Sequence, residues 1–160
     1  MERIPRGMAA GALGGLGATL VMSAVMLAAR RAGLTPQLPP DRIAEEGIEE
    51  VKEAPSTEDE EAIIASAAHF AFGAGAGALY GAMSAPIVRS PLPLAIGAGL
   101  AFGTAVWLVS YQGWVPALGI MPPASRDHPG RVATMVAAHW VFGAALAATT
   151  RQLRRASVLE

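Results

Sequence analysis

The sequence predicts an all-α protein, a four-helix transmembrane bundle built from two tandem parallel helical hairpins, with a short acidic helix outside the membrane between the first two spans. Three observations predict it. Hydrophobic residues make up 52% of the 160-residue chain and charged residues only 16%, against about 25% in soluble domains. The charges are also segregated, being absent from Gly7 to Ala29, Ala62 to Val88, Ser90 to Ser125 and Val132 to Thr150. Each stretch approaches or exceeds the roughly 20 helical residues that cross a bilayer core. Finally, a soluble bundle would carry a polar face along every helix, and these segments carry none.

The first span is expected over residues 7–29. Arg3 and Arg6 before it and "MLAA" at its end also fit a cleaved signal peptide, but the apolar run is long for one and Arg30 and Arg31 follow at once, which favours a retained helix. An outer loop at 38–61 comes next and holds ten of the thirteen acidic residues. Within it Asp41 can cap a short helix with Ala44, Ile48 and Val51 on one face, and Pro55 ends it. Thr57 and Glu60 then have capping-box spacing, so the second helix starts in water and enters the bilayer as the span 62–86. The acidic stretch reads as a solvated helix over the bundle mouth. Binding of a cation or a basic partner is the sharper alternative, although "EEGIEEVKEA" lacks the ligand rhythm of a calcium loop.

Pro91 and Pro93 open the third span, 92–116, and Tyr111 and Trp114 close it at a depth where amphipathic rings anchor in headgroups. His128 follows in a proline-rich outer loop, where it reads as a surface or helix-start residue. The fourth span is expected over 131–150, ahead of Arg151, Arg154 and Arg155. With four spans, the basic N-terminus, Arg89 and the basic tail share one side, which the positive-inside rule makes cytoplasmic. Arg30, Arg31, Arg126 and Arg131 count the other way.

The halves resemble each other. Gly11 with Gly17 in span one parallels Gly97 with Gly103 in span three. "LPP" at Leu38 and "MPP" at Met121 follow these spans, and a histidine-bearing span comes next in each half. Even the entry matches, since Glu61 precedes His69 by the same eight residues that separate Arg131 from His139. Glycines also recur at four-residue spacing: Gly7, Gly11 and Gly15; Gly73, Gly77 and Gly81; Gly99 and Gly103; then Gly143 with Ala147. Such residues line one helix face and let backbones approach, within the chain or between copies.

His69 and His139, in "AAHFAFG" and "AAHWVFG", are the candidate functional pair. An ionisable group in a membrane span is costly and marks a site by default. Three readings stay open: axial ligation of a haem b iron, with Gly73 and Gly143 leaving room for the macrocycle; a proton or ion site together with Ser66, Tyr80 or Thr134; or hydrogen bonds that merely fix helix packing. No metal site is expected from two imidazoles alone, and cysteine is absent. Phosphate loops, nucleophile elbows and metalloprotease helices are missing, which argues against an enzyme. The basic residues form a topology signal rather than a nucleic-acid patch.

The run "ALGIMPPASRDHPGRVATMVAAHWVFGAALAATTRQLRR", from Ala117 to Arg155, resembles the end of the YagU-like family of bacterial inner-membrane proteins. There too a Pro-Pro step leads into a helix with a central histidine and a basic tail. The resemblance implies a bacterial inner-membrane location and singles out Pro122, Pro123 and His139, but it supplies no catalytic residue. The expectation is a small non-enzymatic membrane component with lipid around it, a homo-oligomer or a subunit of a larger membrane complex.

Overall fold

The computed structural model describes residues 3–35, 57–84 and 90–156. Among these residues all regular structure is helical, without strands. The helices are α1 (Arg3–Arg31), α2 (Glu58–Met83), α3 (Leu92–Val109) and α4 (Pro129–Ala156). All four are long and apolar enough to cross a membrane, over Ile4–Arg31, Ala62–Met83, Leu92–Ala117 and Pro129–Ala156. The acidic helix expected after Asp41, the "LPP" step and Arg89 lie outside the described residues.

Helix ends follow local chemistry. Thr57 caps α2, its hydroxyl accepting from the Glu60 amide while the Glu60 carboxylate accepts from the Thr57 amide, each at 3.3 Å. The capping box predicted from sequence is therefore present. Two glycines at positive φ, Gly33 at 73° and Gly119 at 76°, stop the first and third spans. Behind each, the next amide reaches back to close the last turn: Leu34 to the Ala29 carbonyl and Ile120 to the Val115 carbonyl. This is the Schellman arrangement, which satisfies carbonyls of the last turn that have no partner within the helix. The second helix stops at Met83 rather than at residue 86. The fourth runs on to Ala156, past the expected boundary at 150, because arginine is a good helix former and favours the negative end of the helix dipole.

The third span contains a feature the sequence did not announce. Ser110–Trp114 forms a π turn, in which the Val115 amide bonds the Ser110 carbonyl. A short α-helical turn, Val115–Ala117, then completes the span. Pro116 cannot donate to the ladder, and the widened turn lies immediately before it.

α1 packs on α2 and on α4, and α4 packs on α3. α1 and α4 are accordingly the more buried helices, α2 and α3 the more exposed. Leu13, Leu20, Leu79, Leu108 and Val109 point outward from the bundle. The core joins Ala18, Met22 and Met26 of α1 to Tyr80 of α2, Tyr111 of the π turn, and Met135, Ala138, Phe142 and Leu146 of α4. Tyr80 and Phe102 touch edge to face at 5.2 Å between centroids, across α2 and α3.

At both hairpins glycine sits against backbone. A Cβ built on Gly11 would collide with the Gly77 carbonyl oxygen, and one on Gly15 with that of Gly73. In the second hairpin, Gly99 lies against the Gly143 carbonyl and Gly103 against that of His139. The residue correspondence read from sequence needs revision here. Gly17 and Gly97 have nothing within 4 Å of a built Cβ, so the partners of Gly11 and Gly103 in that alignment face outward. A six-residue interval turns through well over half a helical circle and cannot keep both glycines on one face.

Substitution should separate these two kinds of glycine. Gly11→Ala and Gly77→Ala are expected to lower stability in detergent by about 1–3 kcal/mol through overpacking. Gly17→Ala and Gly97→Ala should gain about 0.5–1 kcal/mol from reduced backbone freedom. Chemical unfolding followed by circular dichroism measures both, and equal effects at the two kinds of site would refute the packing register.

Candidate functional site

His139 projects from α4 into the bundle and is buried. Its Nδ1 lies 2.7 Å from the Met135 carbonyl oxygen, one turn back. A carbonyl can only accept, so the proton stands on Nδ1 and the Nε2 lone pair is left available. His69, half-buried on α2, has its Nε2 buried with no hydrogen-bond partner among the described residues. The two imidazoles come from α2 and α4, helices that do not pack extensively on one another. They are not bonded to one another: His139 is tied to its own helix, and His69 meets the Phe70 ring edge-on at 6.4 Å.

The space beside the histidines differs from the expectation. Gly73 and Gly143 were expected to leave a gap one turn beyond them. Instead, a Cβ on Gly73 would meet the Thr19 hydroxyl oxygen, and one on Gly143 the Gly99 carbonyl. Neighbouring helices fill that volume, so these glycines provide no room for a macrocycle. Thr134 is buried, but its hydroxyl donates to the Gly130 carbonyl at 2.7 Å and so is spent on its own helix. Thr19 does the same toward Gly15 at 2.8 Å. Ser66 is exposed on α2.

A second polar cluster closes the end of the bundle where α3 meets α4. Tyr111, expected to anchor at the lipid headgroups, is in fact buried at 3% exposure, and its hydroxyl donates to Asp127. Arg131 pairs with the same carboxylate at 3.0 Å, with side-chain exposures of 14% and 3%. The Tyr111 ring stacks on Trp107 at 6.1 Å. Gln112 accepts from the Ala124 amide at 3.1 Å, tying the π turn to the loop before α4. His128 starts α4, its Nδ1 accepting from the Gly130 amide at 3.2 Å. The four-residue spacing of Asp127 and Arg131 was the available sequence signal for this cluster. Nothing in the sequence placed Tyr111 opposite it.

At the other end, guanidinium groups of α4 hold carbonyls of its neighbours. Arg154 donates to Gly81 and Arg151 to Ser90, both at 3.2 Å. The Gly81 contact falls in the last turn of α2, where a cation complements the helix dipole. Among the described residues no group of three or more His, Asp or Glu side chains is placed to hold a metal ion.

A family model described as a family of unknown function (DUF6789) matches residues 5–159, almost the whole chain. That match does not extend to the YagU-like family, whose likeness rests on the short Pro-Pro and histidine motifs alone. No curated protein and no solved structure matches the chain.

The Tyr111, Asp127 and Arg131 cluster predicts a graded loss of stability. Tyr111→Phe should cost about 1 kcal/mol, as one hydrogen bond is lost. Asp127→Ala should cost about 3 kcal/mol, because it strands a largely buried guanidinium. Detergent unfolding of the single and double variants measures the coupling, and strictly additive losses would argue against a shared cluster.

Proposed function

The chain belongs to this family of unknown function, and from that premise we propose that the protein is a non-enzymatic integral component of a bacterial inner membrane, working as a homo-oligomer or as an accessory subunit of a larger complex. One observation carries the reading: five hydroxyls of the spans fold back onto their own helices. Thr19, Thr104, Ser110, Thr134 and Thr149 each donate to a carbonyl four residues back. In hydrocarbon such groups must be satisfied internally. Leucine, valine and phenylalanine side chains meanwhile cover the outside. Four spans put both termini on one side, and the arginines of the N-terminus and tail support a cytoplasmic one.

The duplicated-hairpin reading belongs to the same proposal. It is supported by the matching Schellman ends at Gly33 and Gly119 and by the like contacts of Gly15 on Gly73 and Gly99 on Gly143.

The alternatives give His69 and His139 a haem b or a proton path. The unpartnered Nε2 of His69 favours some occupant of that region. The filled space at Gly73 and Gly143 disfavours a macrocycle.

Purification in mild detergent tests the main reading. Crosslinking and native mass spectrometry should find a homo-oligomer or a stably associated membrane partner. A monodisperse monomer without any companion would overturn it. A Soret band in the same preparation would favour haem, and a proton flux in liposomes that His69→Ala and His139→Ala abolish would favour conduction.

A further inference from the structure

Segments of all four helices meet at the end of the bundle where α4 finishes. A terminal nitrogen of Arg154 donates to the Gly81 carbonyl near the end of α2, and the same nitrogen would lie 3.2 Å from a Cβ built on Gly7, early in α1. Arg151 donates to the Ser90 carbonyl, just before α3. Arg6, next to Gly7, and Arg155, next to Arg154, are exposed at the same end. The acidic residues stand elsewhere. The run from Glu58 to Glu61 opens α2 and Asp127 precedes α4, both at the opposite end. Among the described residues the end where α4 finishes therefore carries arginine and no acidic residue.

Such a surface selects an anion, and its makeup favours a phosphate. The planar guanidinium fork matches phosphate oxygens in pairs. It carries five N–H donors, so a bond to one carbonyl fixes its orientation without exhausting it. Arg151 and Arg154 are held in this way, and less rotamer freedom is then left to lose on binding. The neighbouring side chains identify the source of the phosphate. Ile4, Leu92, Leu94 and Leu153 are exposed within a few residues of these arginines. An acyl chain can cover them while its headgroup reaches the guanidinium groups, whereas a soluble polyanion would leave them in water.

We propose that Arg6, Arg151, Arg154 and Arg155 form a selective binding surface for the headgroups of anionic phospholipids in the leaflet at that end of the bundle. The proposal rests on the membrane-spanning reading and not on the oligomeric role given above.

Native mass spectrometry of the full-length protein in mild detergent tests it. Offered phosphatidylglycerol and phosphatidylcholine with the same acyl chains, the wild type should retain the anionic lipid in preference, and a higher ammonium acetate concentration should weaken that preference. Arg6→Gln combined with Arg155→Gln removes exposed groups and leaves the carbonyl bonds of Arg151 and Arg154 in place. This variant should keep its helicity and lose about 25-fold in preference, at about fivefold for each arginine beside an anionic surface. Arg30→Gln combined with Arg31→Gln, at the opposite end, should change it far less. Inorganic phosphate should not displace the bound lipid. Equal retention of both lipids by the wild type, undiminished preference in the folded Arg6→Gln and Arg155→Gln variant, an equal loss at the opposite end, or displacement by free phosphate would each overturn the proposal. A protein that stays dispersed without detergent would overturn it together with the membrane reading, which keeps the two failures distinct.

Discussion

In each hairpin the helices approach so closely that a carbonyl of one occupies the place a side chain of the other would need. Gly11 and Gly77 meet in this way, as do Gly99 and Gly143. The remaining architecture depends on that approach. Lipid supplies no hydrophobic drive between helices, so association rests on dispersion between closely packed surfaces. Dispersion falls off steeply with separation, and one added methyl group at these positions would push the helices apart. The contact also fixes rotation about each helix axis. Once the glycine face of α1 is set against α2, Met22 and Met26 turn inward and the leucines turn to the outside.

Polar chemistry is confined to what the packing leaves. Within the spans, the Thr19 and Thr134 hydroxyls fold back onto their own helices, and His139 does the same through Nδ1. Ion pairing appears at an end of the bundle, where Asp127 receives both Tyr111 and Arg131. The opposite end is held by Arg151 and Arg154 on the carbonyls of Ser90 and Gly81. The single helix α4 therefore provides a polar grip at both ends and most of the buried side chains between.

The spans were legible in the sequence because lipid solvation leaves a one-dimensional trace, long runs without charge. The start of α2 was legible too, since Thr57 and Glu60 form a reciprocal cap with only local geometry. Other features depend on neighbours distant in the chain. Tyr111 looked like a headgroup anchor because its position near a span end was visible and its partner Asp127 was not. The π turn at Ser110–Trp114 had a partial cue in Pro116, but proline is compatible with several adjustments. Gly97 and Gly17 matched other glycines as letters, while helix rotation put them outside the contacts. For the histidines, sequence gave identity and spacing, but the filling of the space beside them by Thr19 and Gly99 is a property of the assembled bundle.

The pattern of helix partners also bears on how the protein comes into being. α3 packs extensively on α4 among the described helices, whereas α1 and α2 already suffice for each other. During synthesis the first pair can therefore associate as soon as both of its helices have been made. The third helix has no extensive partner among the described helices until α4 has been made. Only that final arrival joins the two halves, so a ribosome that stalls before α4 leaves behind one finished pair and one orphan.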